Sequence, residues 1–268
     1  MFYNATNGCL TIGETTMDYL VFGKGKKPFI MIPGLGDGLK TAKGMAVPFA
    51  IIYKMFAKDY RVYVFSRKSK LEPGYTTKDM AADLKQAMDM LAIPKADFLG
   101  VSQGGMIAQQ FAINYPEAVG KLILAVTSAR PNAYIEKVLP PWIDMAKRDA
   151  FHELMVDNMV KMYTVEYIRK NKWMLNVAGR FGKPKSYERF IVMAEACMNH
   201  DCYDLLHTIQ APTLVIGGEK DIIVSPESSR EIASQIPGAK LKMYPEYGHA
   251  LYEEARDFNN VVYEFFRE

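Results

Sequence analysis

Short apolar runs rich in β-branched residues alternate with segments of helical period along most of this chain, and that rhythm leaves few folds open. Strands buried on both faces read as unbroken apolar runs, and parallel neighbours need a crossover between them, usually a helix. PFIMI ending at Ile32, RVYVF over residues 61–65, DFLGV over 97–101 and KLILAV over 121–126 are runs of this kind. Between them the pattern predicts a crossover helix over about residues 41–58 and a third helix in GGMIAQQFAINYP. The second helix takes Thr77 as its N-cap, Met80, Leu84, Met88 and Leu91 as its apolar stripe and Pro94 as its stop. Two leading strands, 9–12 and 17–22, are close enough to pair as a hairpin, and TLVIGG and KLKMY add two more near the end. A helix opened by Ser225 and Pro226 separates that last pair, and an amphipathic helix over about 251–266 follows. The expected architecture is α/β: a mostly parallel eight-stranded sheet flanked by helices.

From residue 131 to residue 207 the rhythm changes, with helical pattern throughout and no good buried strand. This reads as a helical cap inserted between two strands, leaving a core domain of residues 1–130 and 208–268. The insertion is rich in Met and holds Trp142 and Trp173. Its flexible thioethers suit packing against the core, and taken together they also suit the lining of a pocket for apolar groups.

Net charge is +3, from 33 basic and 30 acidic residues, and no basic stripe interleaved with aromatics tracks a phosphate backbone, so nucleic acid is not an expected partner. RKSK at 67–70 reads as a loop with solvated charges. No stretch reaches the roughly 18 uninterrupted apolar residues of a membrane span, and the opening MFYNATNGCLTIGE has neither a basic region nor an apolar core of a signal. With three cysteines, Cys9, Cys197 and Cys202, too few for a disulfide framework, the expected location is cytoplasmic. Cys197, His200, Cys202 and His207 gather in one segment, but their spacing matches no common zinc pattern, and no metal is expected.

Within DFLGVSQGGM a strand, a tight turn and a helix surround Gly-x-Ser-x-Gly, the context that makes this motif informative. The turn lifts the hydroxyl of Ser102 above the carboxyl ends of the strands, and Gly100 and Gly104 answer the close approach of neighbouring chains. A serine needs a base to become a nucleophile, and the chain has four histidines. His249 follows the strand KLKMY on a loop that opens the last helix, at the same edge as Ser102; His152, His200 and His207 fall in or beside the insertion. An acid must orient that imidazole. Asp221 stands just past the strand TLVIGG, with Glu219 as its rival two residues earlier.

These segments, GVSQGG, GGEKD, YGH and IPGLGD, resemble those of the α/β-hydrolases of the esterase and lipase-like superfamily, along essentially the whole chain. The resemblance implies a Ser102, Asp221, His249 triad and an oxyanion hole made by the backbone N–H groups of Gln103 and Leu35. The chain departs from the family's common His-Gly pair by placing Pro33 before Gly34, and it keeps only Arg67 of the Asp-x-Arg-Gly-x-Gly that often precedes the next helix. Serine at 102 argues against dehalogenases and epoxide hydrolases, which use a carboxylate. The expected function is a cofactor-free serine hydrolase cleaving a small apolar ester. Acyl transfer, lactonase or thioesterase chemistry, or a small-molecule sensor retaining the triad, are the alternatives, and homo-oligomerisation stays open.

Overall fold

The computed structural model of the chain describes residues 3–268. Its strands are β1 (Thr6–Ile12), β2 (Thr15–Phe22), β3 (Lys27–Ile32), β4 (Tyr60–Lys68), β5 (Ala96–Val101), β6 (Val119–Ala125), β7 (Thr213–Gly218) and β8 (Lys240–Tyr244). They form one sheet in the order β1-β2-β4-β3-β5-β6-β7-β8. β1 and β2 form the antiparallel hairpin, β2 also runs antiparallel to β4, and every other pair is parallel. All six residues of β7 are buried, as an apolar run covered on both faces requires.

Side chains along β3 alternate between two apolar layers. Ile30 and Ile32 face the layer built by α2 (Thr77–Met90) and α3 (Gln103–Asn114), while Phe29 and Met31 face the layer under α1 (Ala46–Ile52) and the C-terminal helix. The ring of Phe29 lies 5.2 Å from that of Phe56 and 4.9 Å from that of Phe266, which fastens the C-terminus to the middle of the sheet. Between β6 and β7 run α4 (Ala133–Lys147), α5 (Phe151–Met162), α6 (Val165–Lys170), α7 (Lys172–Val177) and α8 (Glu188–Met198), where the helical stretch was expected. α9 (Pro226–Gln235), α10 (Leu251–Glu254) and α11 (Phe258–Arg267) complete the chain. Among the described residues no helix is long and apolar enough to cross a membrane.

Four local expectations are corrected. The first crossover helix covers only 46–52, with a 3-10 turn after it, because the preceding backbone is tied elsewhere: Ala42 N–H donates to Ser66 Oγ, Gly44 N–H donates to Asn7 Oδ1, and Gly44 sits at φ +80°. The N-cap of α2 is Thr76, not Thr77, since only Thr76 has an acid three residues on, and Asp79 closes a reciprocal capping box with it. The last amphipathic segment is two helices, parted where Ala255 turns extended (ψ 112°). Finally, Arg67 and Lys68 belong to β4 and not to a solvated loop. Lys68 pairs with Asp83, and Arg67 is buried.

Thr77, released from capping, hydrogen-bonds through Oγ1 to Nδ1 of the buried His200 at 2.8 Å. Burial pulls the His200 imidazole down to about 3, so the folded ring stays neutral where the unfolded one takes a proton. Stability is therefore lost as pH falls below about 6.5, the ordinary histidine value, and the loss grows until the folded ring itself protonates. At pH 5 the cost is about 2 kcal/mol. We expect urea unfolding to show the wild type losing about that much more between pH 7.5 and 5 than His200→Gln; equal losses in the two proteins would refute the assignment.

Candidate active site

β5 ends at Val101 and α3 begins at Gln103, which leaves Ser102 alone in the turn at φ 55°, ψ −121°. Such a conformation costs a non-glycine residue about 1–3 kcal/mol. It is held by the Ser102 N–H donating to Ala125 O at 2.9 Å, and by the Ser102 carbonyl accepting from Gly105 N–H and Thr127 Oγ1, both at 2.8 Å. A Cβ on Gly104 would overlap the Ile32 carbonyl oxygen, so only glycine lets α3 start this close to β3.

The structure brings Ser102, His249 and Asp221 together. His249 Nε2 lies 2.9 Å from Ser102 Oγ, and its Nδ1 lies 2.8 Å from Asp221 Oδ2. The other oxygen of Asp221 accepts from Ile223 N–H at 2.8 Å and Val224 N–H at 3.1 Å, which fixes the carboxylate on the loop after β7. Asp221 and His249 are 2% and 3% exposed, so water competes little for their contact. Glu219, the rival acid, turns away and pairs with Arg230 at 2.5 Å. Geometrically, the imidazole is positioned to take the serine proton while the carboxylate holds its Nδ1–H tautomer.

Leu35 opens a 3-10 turn, Leu35–Gly38, directly after β3. Its N-cap Gly34 is so close to the nucleophile turn that an added Cβ would stand 3.3 Å from Ser102 Cβ. Among the described residues the N–H groups of Leu35 and Gln103 donate to no protein acceptor, leaving two donors free beside Ser102. Pro33 is accommodated because what matters at its position is its carbonyl, which accepts from Arg67 Nη2.

That contact belongs to a buried polar network which the sequence reading missed. Arg67 also donates to Gln103 Oε1 at 3.1 Å, and Gln103 Nε2 donates to Met193 O at 2.6 Å on α8. Asp37, in the turn after Leu35, accepts from Arg67 N–H at 2.9 Å and pairs with Arg189 of α8. Burial pulls the Arg67 guanidinium down to about 10, with Asp37 opposing the shift, so it remains cationic at neutral pH. The only signal in the sequence was the isolated Arg67, whose partners lie far away along the chain.

Ser102 and His249 open onto a cavity of about 520 Å³. From the helices between β6 and β7, Trp142, Met155, Met159, Met162 and Met174 line it. Other members of the Met and Trp set do not: Met193 is in the main core, and Trp173 is exposed. The Cys/His segment does not converge on one point: Cys202 lies against His200 and Gln109, but Cys197 lies against Gln103 and His207 is exposed.

Comparison with known proteins gives the family and the fold. Residues 27–255 match the family model described as the alpha/beta hydrolase fold. The 2-hydroxy-6-oxononadienedioate/2-hydroxy-6-oxononatrienedioate hydrolase 2 of Pseudomonas putida is 26% identical over 266 residues, 94% of this chain and 92% of that protein. An alpha/beta hydrolase enzyme from a Medee basin deep-sea metagenome library superposes with a TM-score of 0.88 at 22% identity, covering 97% of this chain and 98% of the other. The enol-lactonase of Burkholderia xenovorans LB400 superposes at 0.82 with 23% identity, covering 97% and 100%.

Proposed function

The chain belongs to the alpha/beta hydrolase family, and from that premise we propose that it is a serine hydrolase cleaving a carboxylic ester of a small, largely apolar substrate through an acyl-enzyme on Ser102. The observation that carries this reading is the continuous pair of contacts, Ser102 Oγ to His249 Nε2 at 2.9 Å and His249 Nδ1 to Asp221 Oδ2 at 2.8 Å, facing one apolar cavity. His249 takes the hydroxyl proton as Ser102 Oγ attacks the carbonyl carbon, and Asp221 stabilises the imidazolium. The oxyanion draws on the N–H groups of Leu35 and Gln103. His249 then gives the proton to the departing alkoxide, and a water activated by the same base frees the acid. The route needs neither metal nor cofactor.

In this reading residues 131–207 are a cap over a core of 1–130 and 208–268, and the cap supplies much of the pocket wall. The protein acts on a small molecule in the cytoplasm. The named relatives act on a dienedioate and an enol-lactone, and an acyl-enzyme serves lactones and thioesters equally well. The cavity wall is mainly aliphatic, aromatic and thioether, which suits a substrate whose groups beside the scissile bond are apolar.

A series of 4-nitrophenyl esters from acetate to decanoate tests it. Each CH₂ buried contributes about 0.8 kcal/mol, roughly fourfold in kcat/KM, until the cavity is full. The rate should climb over the first carbons and then fall, and Met155→Phe, which narrows the cavity, should move the maximum to shorter chains. A profile independent of chain length, or an unmoved maximum, would contradict the assignment of this cavity.

A further inference from the structure

The wall of the catalytic cavity is not uniformly apolar. Two carboxylates reach it, Asp37 and Glu253. Asp37 is matched by Arg67 and Arg189. Glu253, four residues past His249 on α10, is matched by no cation: among the described residues its side-chain partners are hydroxyls, with Tyr163 Oη donating to its Oε2. Its neighbour Glu254 is engaged in structure, accepting from Thr164 N–H at 3.1 Å and Thr164 Oγ1 at 2.6 Å, which ties down the start of α6.

The surroundings of Glu253 are aromatic. Tyr53, Tyr163 and Tyr252 line the same cavity, and burial first, with the Glu253 charge second, raises each phenol. The rings are held in place: Tyr163 stacks on Tyr167 at 4.7 Å, and Tyr53 packs on Phe49 at 5.7 Å. Glu253 is exposed where it lines the cavity, so an incoming group can reach its carboxylate, and among the described residues no cation pairs with it. A carboxylate in a cavity that tyrosine rings also line matches one kind of group well, a weakly hydrated cation. The carboxylate supplies charge, and the ring quadrupoles attract the alkyl-substituted nitrogen. A neutral hydrocarbon end offers the carboxylate no charge to pair with.

We propose that Glu253, with Tyr53, Tyr163 and Tyr252, forms a subsite of the catalytic cavity for an alkylammonium group on the non-reacting part of the substrate. This rests on the ester-hydrolase reading and refines its substrate to an apolar ester that carries a cationic end.

Two isosteric pairs test it, one for each half of an ester. Choline butyrate is compared with 3,3-dimethylbutyl butyrate, and the 4-nitrophenyl ester of 4-(trimethylammonio)butanoate with that of 5,5-dimethylhexanoate; in each pair carbon replaces the charged nitrogen. The kcat/KM ratio of cation to isostere is read within each protein, so changes in absolute rate cancel. In the wild type at least one pair should favour the cation by roughly tenfold, and the pair that does so identifies the half that reaches Glu253. In Glu253→Gln that ratio should fall to near or below one, while Tyr163→Phe, which keeps the ring, should retain most of it. No cation preference in either pair, or a preference that survives Glu253→Gln, overturns the subsite. If the wild type turns over none of these esters, the hydrolase reading has failed separately. Calorimetric binding of choline butyrate and its isostere to Ser102→Ala, with and without Glu253→Gln, then decides the subsite by the same ratio.

Discussion

Ser102→Ala and His249→Ala are each expected to lower kcat on the best ester by roughly 10⁴ to 10⁶, and the double variant should be little worse than either. The non-additivity follows from the geometry. With Oγ 2.9 Å from Nε2, the hydroxyl becomes a nucleophile only as the imidazole takes its proton, so losing either partner removes the same step. Asp221→Asn should cost somewhat less, because the Ile223 and Val224 N–H groups still hold the loop while the tautomer is lost. The residual rate should come from the oxyanion donors and the cavity. Steady-state kinetics of the four proteins check this, and Ser102→Ala retaining a substantial fraction of wild-type kcat would contradict the mechanism.

The second large effect is on stability. Asp37→Ala leaves Arg67 and Arg189 facing one another without the carboxylate both engage, and an unmatched buried charge typically costs about 3–5 kcal/mol. For a chain of this size that is a fall in Tm on the order of 10 °C. Replacing all three residues together, Asp37→Leu with Arg67→Met and Arg189→Met, should cost less than the single change, because no charge is then left buried alone. The single variant should also lose kcat at temperatures where it remains folded, since Asp37 sits in the turn opened by Leu35. Thermal melts in which Asp37→Ala is as stable as wild type, or in which the triple variant is far worse, would show that the network is not what holds this turn.

The network also marks where the sequence stops being legible. The central strands could be read because a strand buried on both faces writes a local apolar run, as PFIMI and TLVIGG do. Ser102, Asp221 and His249 could be read because each follows a strand end, which puts all three at one edge whatever the intervening chain does. Arg67 could not, since in RKSK nothing local separates a buried guanidinium from a solvated one; Asp37 and Arg189 meet it only after the sheet and α8 are packed. Glu253 is similar: in LYEEARD nothing local sets it apart, and only the fold brings its exposed side chain to the cavity. The N-cap of α2 is a different case: Thr76 and Asp79 spell a capping box that is legible in the sequence itself. The long first crossover helix failed because Asn7 and Ser66, outside the segment, claim its leading N–H groups.

The central claim is that Ser102 is the nucleophile, and reaction with a fluorophosphonate followed by peptide mass analysis tests it most directly. The account predicts one adduct per chain, on the peptide carrying Gly100-Val101-Ser102-Gln103-Gly104, with loss of esterase activity in proportion to labelling and no labelling of Ser102→Ala or His249→Ala. An adduct on any other serine that tracks the loss of activity, or full activity in a protein labelled at Ser102, would contradict it.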